Sequence, residues 1–107
     1  MGVDFGVPDG TPVMAAANGK IVYQGWLDGY GNTIFVDHGN GVMTQYSHLG
    51  SFVGATGSTV MQGAVIAQSG HSGLGTGPHL HFGVLNGTSG GNIHTGQYVD
   101  PRSMLQR

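Results

Sequence analysis

His79 and His81 stand two residues apart in the run Gly77-Pro78-His79-Leu80-His81-Phe82. In a β-strand alternate side chains share a face, so this run turns both imidazoles one way and Leu80 and Phe82 the other. A strand that buries Leu and Phe while offering two imidazoles resembles one wall of a metal site, because neutral imidazole is a common zinc ligand. The rest of the inventory limits the chemistry. The chain has six His, and its five acids are Asp4, Asp9, Asp28, Asp37 and Asp100. Cys is absent, which removes a thiol nucleophile, a thiolate zinc site and any disulfide. Glu is absent too, so a base of the HExxH kind is excluded and acid–base work falls to histidine.

The 107 residues suit one domain, 1–107, with a modest core. The 22 Gly are about three times the usual share of roughly 7%. They are spread through the chain and read as turns and close backbone approaches. Net charge is -2, and the cations are only Lys20, Arg102 and Arg107. That is no electrostatic footprint for nucleic acid or an anionic membrane. No apolar run is long enough to cross a bilayer, and no signal peptide opens the chain.

Those imidazoles need a scaffold, and the punctuation is that of an antiparallel sheet. A strand is expected over Val13–Ala17, between the turn signals Pro8-Asp9-Gly10 and Asn18-Gly19. Lys20–Gln24 follows as a second, with a loop at 28–32. Asn32–His38 and Val42–Leu49, joined by Gly39-Asn40-Gly41, read as a hairpin. A weak repeat is also visible. Gly10-Thr11-Pro12-Val13-Met14 with Gly19-Lys20-Ile21-Val22 is echoed by Gly57-Ser58-Thr59-Val60-Met61 with Gly63-Ala64-Val65-Ile66. Helical periodicity is not sustained anywhere; a short helical turn is expected at 101–105, with Asp100 as its cap. The expected fold is all-β: an antiparallel sheet groove or barrel-like sandwich with a duplicated hairpin motif and few or no helices.

Several short motifs occur together in a characteristic order: Gly2-Val3-Asp4, Gly10-Thr11-Pro12-Val13, Gly19-Lys20-Ile21-Val22, Tyr30-Gly31-Asn32, Asp37-His38-Gly39-Asn40-Gly41, Tyr46-Ser47-His48-Leu49 and the HLHF box at 79–82. In order and spacing the chain resembles the M23 zinc endopeptidases, the lysostaphin- and LytM-type cell-wall hydrolases. The likeness runs to Val99-Asp100-Pro101. It implies a sheet groove in which one zinc ion hydrolyses peptide cross-links of bacterial peptidoglycan. Carried over by position, Asp4 and His81 are metal ligands, and His48 and His79 are the catalytic pair flanking the metal. A catalytic zinc takes about three N or O ligands and lowers the pKa of a bound water to about 7. Two imidazoles beside it can accept that water's proton and steady the oxyanion and leaving amine. Which of the two acts first as base is open. The family's remaining ligand is a His that would fall just ahead of Met1. The domain is therefore expected to be N-terminally incomplete, cut directly after that residue. With two ligands of its own it should bind zinc weakly, and its activity depends on a third.

An open, uncharged, Gly-rich groove suits an extended peptide of small residues held by backbone hydrogen bonds. Glycyl-glycine and stem-peptide bonds both fit. Asn32 and Thr76 could hydrogen-bond such a peptide and Tyr46 could stack on it, although turn chemistry and core packing explain these residues equally well. His38 reads as structural, and His71 and His94 as exposed. Tyr23, Trp26, Tyr30 and Tyr98 could also stack on a substrate but read more simply as core and loop packing. The substrate would place the protein outside the cell, in the wall or periplasm. Targeting would come from a wall-binding domain or a larger assembly such as a phage tail. Two other readings compete. One is a non-catalytic LytM-like module that activates another wall hydrolase, although such relatives usually lack several of these site residues. The other is a carrier domain, either of biotinyl type, for which Lys20 is poorly framed, or a phosphocarrier, whose exposed His could be mimicked by His79 or His48.

Overall fold

The computed structural model describes residues 2–73 and 77–100. The strands are β1 (Val3–Phe5), β2 (Pro12–Met14), β3 (Gly19–Leu27), β4 (Gly31–Gly39), β5 (Val42–Phe52), β6 (Thr59–Val60), β7 (Val65–Ser69), β8 (Leu80–Asn86) and β9 (Gln97–Val99). They form one sheet in the order β1-β8-β5-β4-β3-β6, with β7 bridging β2 and β5, and β9 on β8. Every strand pair is antiparallel. No helix occurs among the described residues, as the all-β reading expects. The helical turn expected at 101–105 lies outside them.

The Gly39-Asn40-Gly41 turn joins β4 to β5, with Asn40 itself in the left-handed region at φ 55°. The duplicated motif is paired crosswise. β2 lies on β7, and the start of β3 on β6, so the first strand of each copy pairs with the second strand of the other. The first strand also ends earlier than expected, at Met14. Ala15 instead exchanges backbone hydrogen bonds with the 63–64 turn, donating to Ala64 O and accepting from Gly63 N. Both connections therefore serve as clasps between the copies.

Strands β4 and β5 are covered on both faces. Ile34, Val36, Tyr46 and Leu49 join Ile21, Ile66, Phe82 and Val84 in the main core, whereas Phe35, Met43 and Leu85 form a smaller cluster on the opposite face. Near-continuous burial also encloses Thr33, Thr44, Gln45 and Ser47, and buried polar groups need partners. Thr44 Oγ1 hydrogen-bonds the Tyr46 hydroxyl and His38 Nε2, and a directed chain satisfies the other three. The Tyr98 hydroxyl donates to Gln45 Oε1, Gln45 Nε2 donates to Ser47 Oγ (2.9 Å), and Thr33 Oγ1, 3.0 Å from Ser47 Oγ, donates to Gly31 O. This chain ends directly beneath the candidate site.

Burial, and then the neighbouring Tyr30 hydroxyl, push Tyr98 up to about 12. An unfolded tyrosine loses its proton near pH 10, so between the two values the unfolded chain binds fewer protons and stability falls as pH rises. Urea titrations should show stability insensitive to Tyr98 below about pH 9 and declining from about pH 10 to 12. Tyr98→Phe should flatten that decline in part only, because burial raises Tyr46 as well. An unchanged slope in Tyr98→Phe would show that its phenol is solvated.

Candidate functional site

β8 runs between β1 and β5, and this placement assembles the site. His81 lies opposite Asp4 on one side and Ser47 on the other. Asp4 Oδ1 and His81 Nδ1 face each other at 2.7 Å, although the two residues are 77 positions apart in sequence. The strand's opposite face behaves as its alternation predicts, with Phe82 in the core and Leu80 packed against it.

His48 reaches the same face by a break in alternation. Cross-strand partners share a face, so Tyr46 sides with Phe82 in the core and Ser47 with His81. Regular alternation would then send His48 into the core with Tyr46. Instead Tyr46 and Leu49, three residues apart, both enter the core, so the parity reverses between them. His48 takes φ 60°, the left-handed region that non-glycine residues rarely occupy. The strained backbone is held at both ends: His48 N donates to Tyr30 O (2.8 Å) and His48 O accepts from Gly70 N (3.1 Å). The β5 ladder shifts register just beyond, between Leu49 and Ser51. Strain of this kind persists where surrounding structure over-determines it, commonly at functional sites.

The result is a histidine cluster. The His48 and His79 ring centroids are 4.4 Å apart, and His48 to His81 is 6.2 Å. His48 Nδ1 lies 2.6 Å from Ser72 O, and His79 Nδ1 lies 2.8 Å from Gly77 O. A carbonyl can only accept, so each Nδ1 carries the proton and donates, leaving both Nε2 lone pairs for chemistry. Tyr30 roofs the cluster, its ring 5.4 Å from His81 and 6.5 Å from His48.

The residues present fit a zinc ion as part of its ligand set. A carboxylate oxygen and an imidazole nitrogen converge on one another, the donor types zinc takes. The other nitrogen of the His81 ring, Nε2, is buried without a hydrogen-bond partner. Among the described residues no group of three or more His, Cys, Asp or Glu that could hold a metal ion occurs.

The other candidates named from the sequence disperse. Tyr46 is buried, its hydroxyl accepting from Ala16 N–H (2.9 Å) and sharing a hydrogen bond with Thr44 Oγ1 (2.7 Å), so the expectation that it stacks on substrate is corrected to a core role. Asn32 is half-buried and donates to Leu49 O (3.2 Å). It borders a cleft of about 440 Å³ that also includes Asp9, Gln68, His71 and Ser72. Thr76 lies outside the described residues. His38 is tied between Asn18 O and Thr44 Oγ1, while His71, bound to Asp9, and His94 are exposed. Trp26, expected to pack, is 57% exposed. Sequence reasoning weighed Tyr30 as a stacking residue but preferred a packing role, and it did not consider Ser72. The glycines beside them, Gly31 and Gly73, were the available signal of a close approach there.

The model of peptidase family M23 matches residues 1–101. The chain is 48% identical over 81 residues to a DD-carboxypeptidase/endopeptidase Mpg of Neisseria meningitidis, covering 76% of this chain and 19% of that protein. To the glycyl-glycine endopeptidase ALE-1 of Staphylococcus capitis it is 47% identical over 83 residues, covering 76% of this chain and 23% of that protein. The chain thus spans about a fifth of the length of these relatives. Its fold superposes on the catalytic domain of the antimicrobial peptidase lysostaphin from Staphylococcus simulans with a TM-score of 0.86, at 38% identity over 99% of this chain and 78% of that one. With a strand-built Asp–His pair, two further imidazoles beside it, and these likenesses in sequence and fold, the chain belongs to peptidase family M23.

Proposed function

We propose that this domain is a zinc-dependent endopeptidase that hydrolyses peptide cross-links of bacterial peptidoglycan. The observation that carries the reading is the convergence of Asp4, His81, His48 and His79, drawn from β1, β5 and the start of β8, on one face of the sheet. Asp4 Oδ1 and His81 Nδ1 would hold the zinc ion, with a further ligand completing the set. Bound there, zinc would polarise the scissile carbonyl and acidify the attacking water. His48 and His79, each anchored through Nδ1, present unprotonated Nε2 atoms. Between them these nitrogens accept the water's proton and return one to the leaving amine; the protonated ring donates to the developing oxyanion.

The substrate class follows from the surface. The chain's net charge is -2, and the flanking cleft is lined by Gly10, Asn32, Gly50, Ser51 and Ser69, which suits an extended peptide of small residues. The names of the relatives include both a DD-carboxypeptidase/endopeptidase and a glycyl-glycine endopeptidase, which supports peptide cross-links as the substrate class. Peptidoglycan lies outside the cytoplasmic membrane, so a protein acting on it would work in the wall or periplasm.

The test is release of soluble peptide and new amino termini from purified walls, one type cross-linked directly and one through glycine bridges. His48→Ala should lower the rate by about 10²- to 10⁴-fold while leaving bound zinc unchanged. If the zinc-loaded protein released nothing from either wall, yet accelerated a second hydrolase, the non-catalytic module would replace this reading.

A further inference from the structure

Two segments that carry no ligand meet behind His48. Tyr30–Asn32 and His71–Gly73 lie backbone against backbone: a Cβ placed on Gly31 would come within 2.5 Å of Ser72 C, and one on Gly73 within 2.5 Å of Gly31 N. Ser72 is the hub of this contact. Its Oγ donates to Leu49 O (2.6 Å) and accepts from Asn32 N (3.1 Å), which ties the loop to the residue after His48 and to the start of β4. Its carbonyl accepts the hydrogen bond from His48 Nδ1–H at 2.6 Å.

One residue therefore holds His48 twice. It holds the ring through its carbonyl and the adjoining backbone through its hydroxyl. His48 is only 5% exposed, and its ring stands beside those of Tyr30, His79 and His81. No other protein acceptor for Nδ1 is present among the described residues. The hydroxyl fixes where the carbonyl points, and the carbonyl decides which nitrogen is bare.

We infer that Ser72 is a positioning residue for His48: its hydroxyl, clamped between Asn32 N and Leu49 O, aims the Ser72 carbonyl so that His48 is kept with its proton on Nδ1 and Nε2 open to substrate. This rests on the reading of His48 as a proton carrier. Removing the hydroxyl while keeping the backbone, in Ser72→Ala, frees the carbonyl to swing and lets the ring sample the other tautomer. Ser72→Thr keeps the hydroxyl and the clamp.

The tautomer can be read without metal or turnover, from the ¹⁵N shifts and long-range ¹H–¹⁵N couplings of the imidazoles in ¹⁵N-histidine-labelled protein. His48 should be the Nδ1–H form in the wild type and in Ser72→Thr, and a mixture of both forms in Ser72→Ala. His38, held by Asn18 and Thr44 on the far part of the sheet, should be unchanged in all three and reports that the fold is intact. On wall peptides, Ser72→Ala should lose about tenfold in kcat with KM within about twofold, and Ser72→Thr should recover it. A wild-type His48 that is protonated on Nε2, or a Ser72→Ala protein with unaltered tautomer, would overturn the inference. If the tautomers mix as expected and kcat does not change, the positioning stands and the role of His48 as proton carrier falls instead.

Discussion

His81→Ala should abolish wall hydrolysis, lowering kcat/KM by at least about 10³-fold, equivalent to about 4 kcal/mol of lost transition-state stabilisation. Two functions disappear with one ring. The metal loses an imidazole from a set to which this chain contributes Asp4 and His81, and Asp4 loses the 2.7 Å partner that aims its carboxylate. Zinc affinity, titrated on metal-depleted protein, should therefore fall with activity, well below the modest affinity expected of the wild type. The fold should survive. Asp4's side chain is 63% exposed, so water solvates the abandoned carboxylate, and His81's neighbours Leu80 and Phe82 keep their own contacts on the opposite face. A melting temperature within a few degrees of wild type is expected.

The contrast with His48→Ala gives this prediction its force. Both substitutions should stop hydrolysis, but only His81→Ala should empty the metal site. His94→Ala, an exposed imidazole, serves as the control and should alter neither quantity. If His81→Ala retained zinc and activity, the ligand assignment would be wrong and the Asp4–His81 contact would be a structural hydrogen bond only.

Much of this arrangement was legible in the sequence because it is local. The alternation of His79, Leu80, His81 and Phe82 fixes which side chains share a face, whatever strand lies alongside. Gly39-Asn40-Gly41 likewise specifies its hairpin through the backbone demands of the turn itself. What stayed hidden depends on partners distant in the chain. β5 runs on to Phe52 because it changes partner, serving β4, β8 and then β7, and the register shift that permits this leaves no periodic trace. The same applies to His48. Tyr46-Ser47-His48-Leu49 reads as plain alternation and would bury the imidazole beside Tyr46. Its turn toward the site comes from a left-handed φ imposed by Tyr30 O and the Gly70 amide, neither of which is near it in sequence. The crosswise pairing of the repeat was hidden for a related reason. A strand–turn–strand motif says that two strands exist, and only the competing copy shows that each prefers the other's partner.

The second large effect is expected from Gly31→Ala, a change of one methyl group on a residue that touches neither zinc nor substrate. Gly31 has φ 72°, where a Cβ costs about 1 kcal/mol or more. Its Cβ would also lie 2.5 Å from Ser72 C and 2.6 Å from Gly73 N, both backbone atoms with no rotamer to move aside. Relief requires the two segments to part, which breaks the Ser72 clamp and with it the support of His48. Gly29→Ala separates these costs. Gly29 has a similar φ of 83° with nothing within 4 Å of the added methyl, so it should show the conformational penalty alone. Gly29→Ala should lower the melting temperature by about 4 to 8 °C and leave kcat unchanged. Gly31→Ala should lower it by about 10 °C or more and, at a temperature where the protein remains folded, reduce kcat by about tenfold or more. Equal effects of the two substitutions on melting and kcat would mean that the 30–32 and 71–73 segments are separable in solution. In that case His48 would owe its orientation to β5 alone.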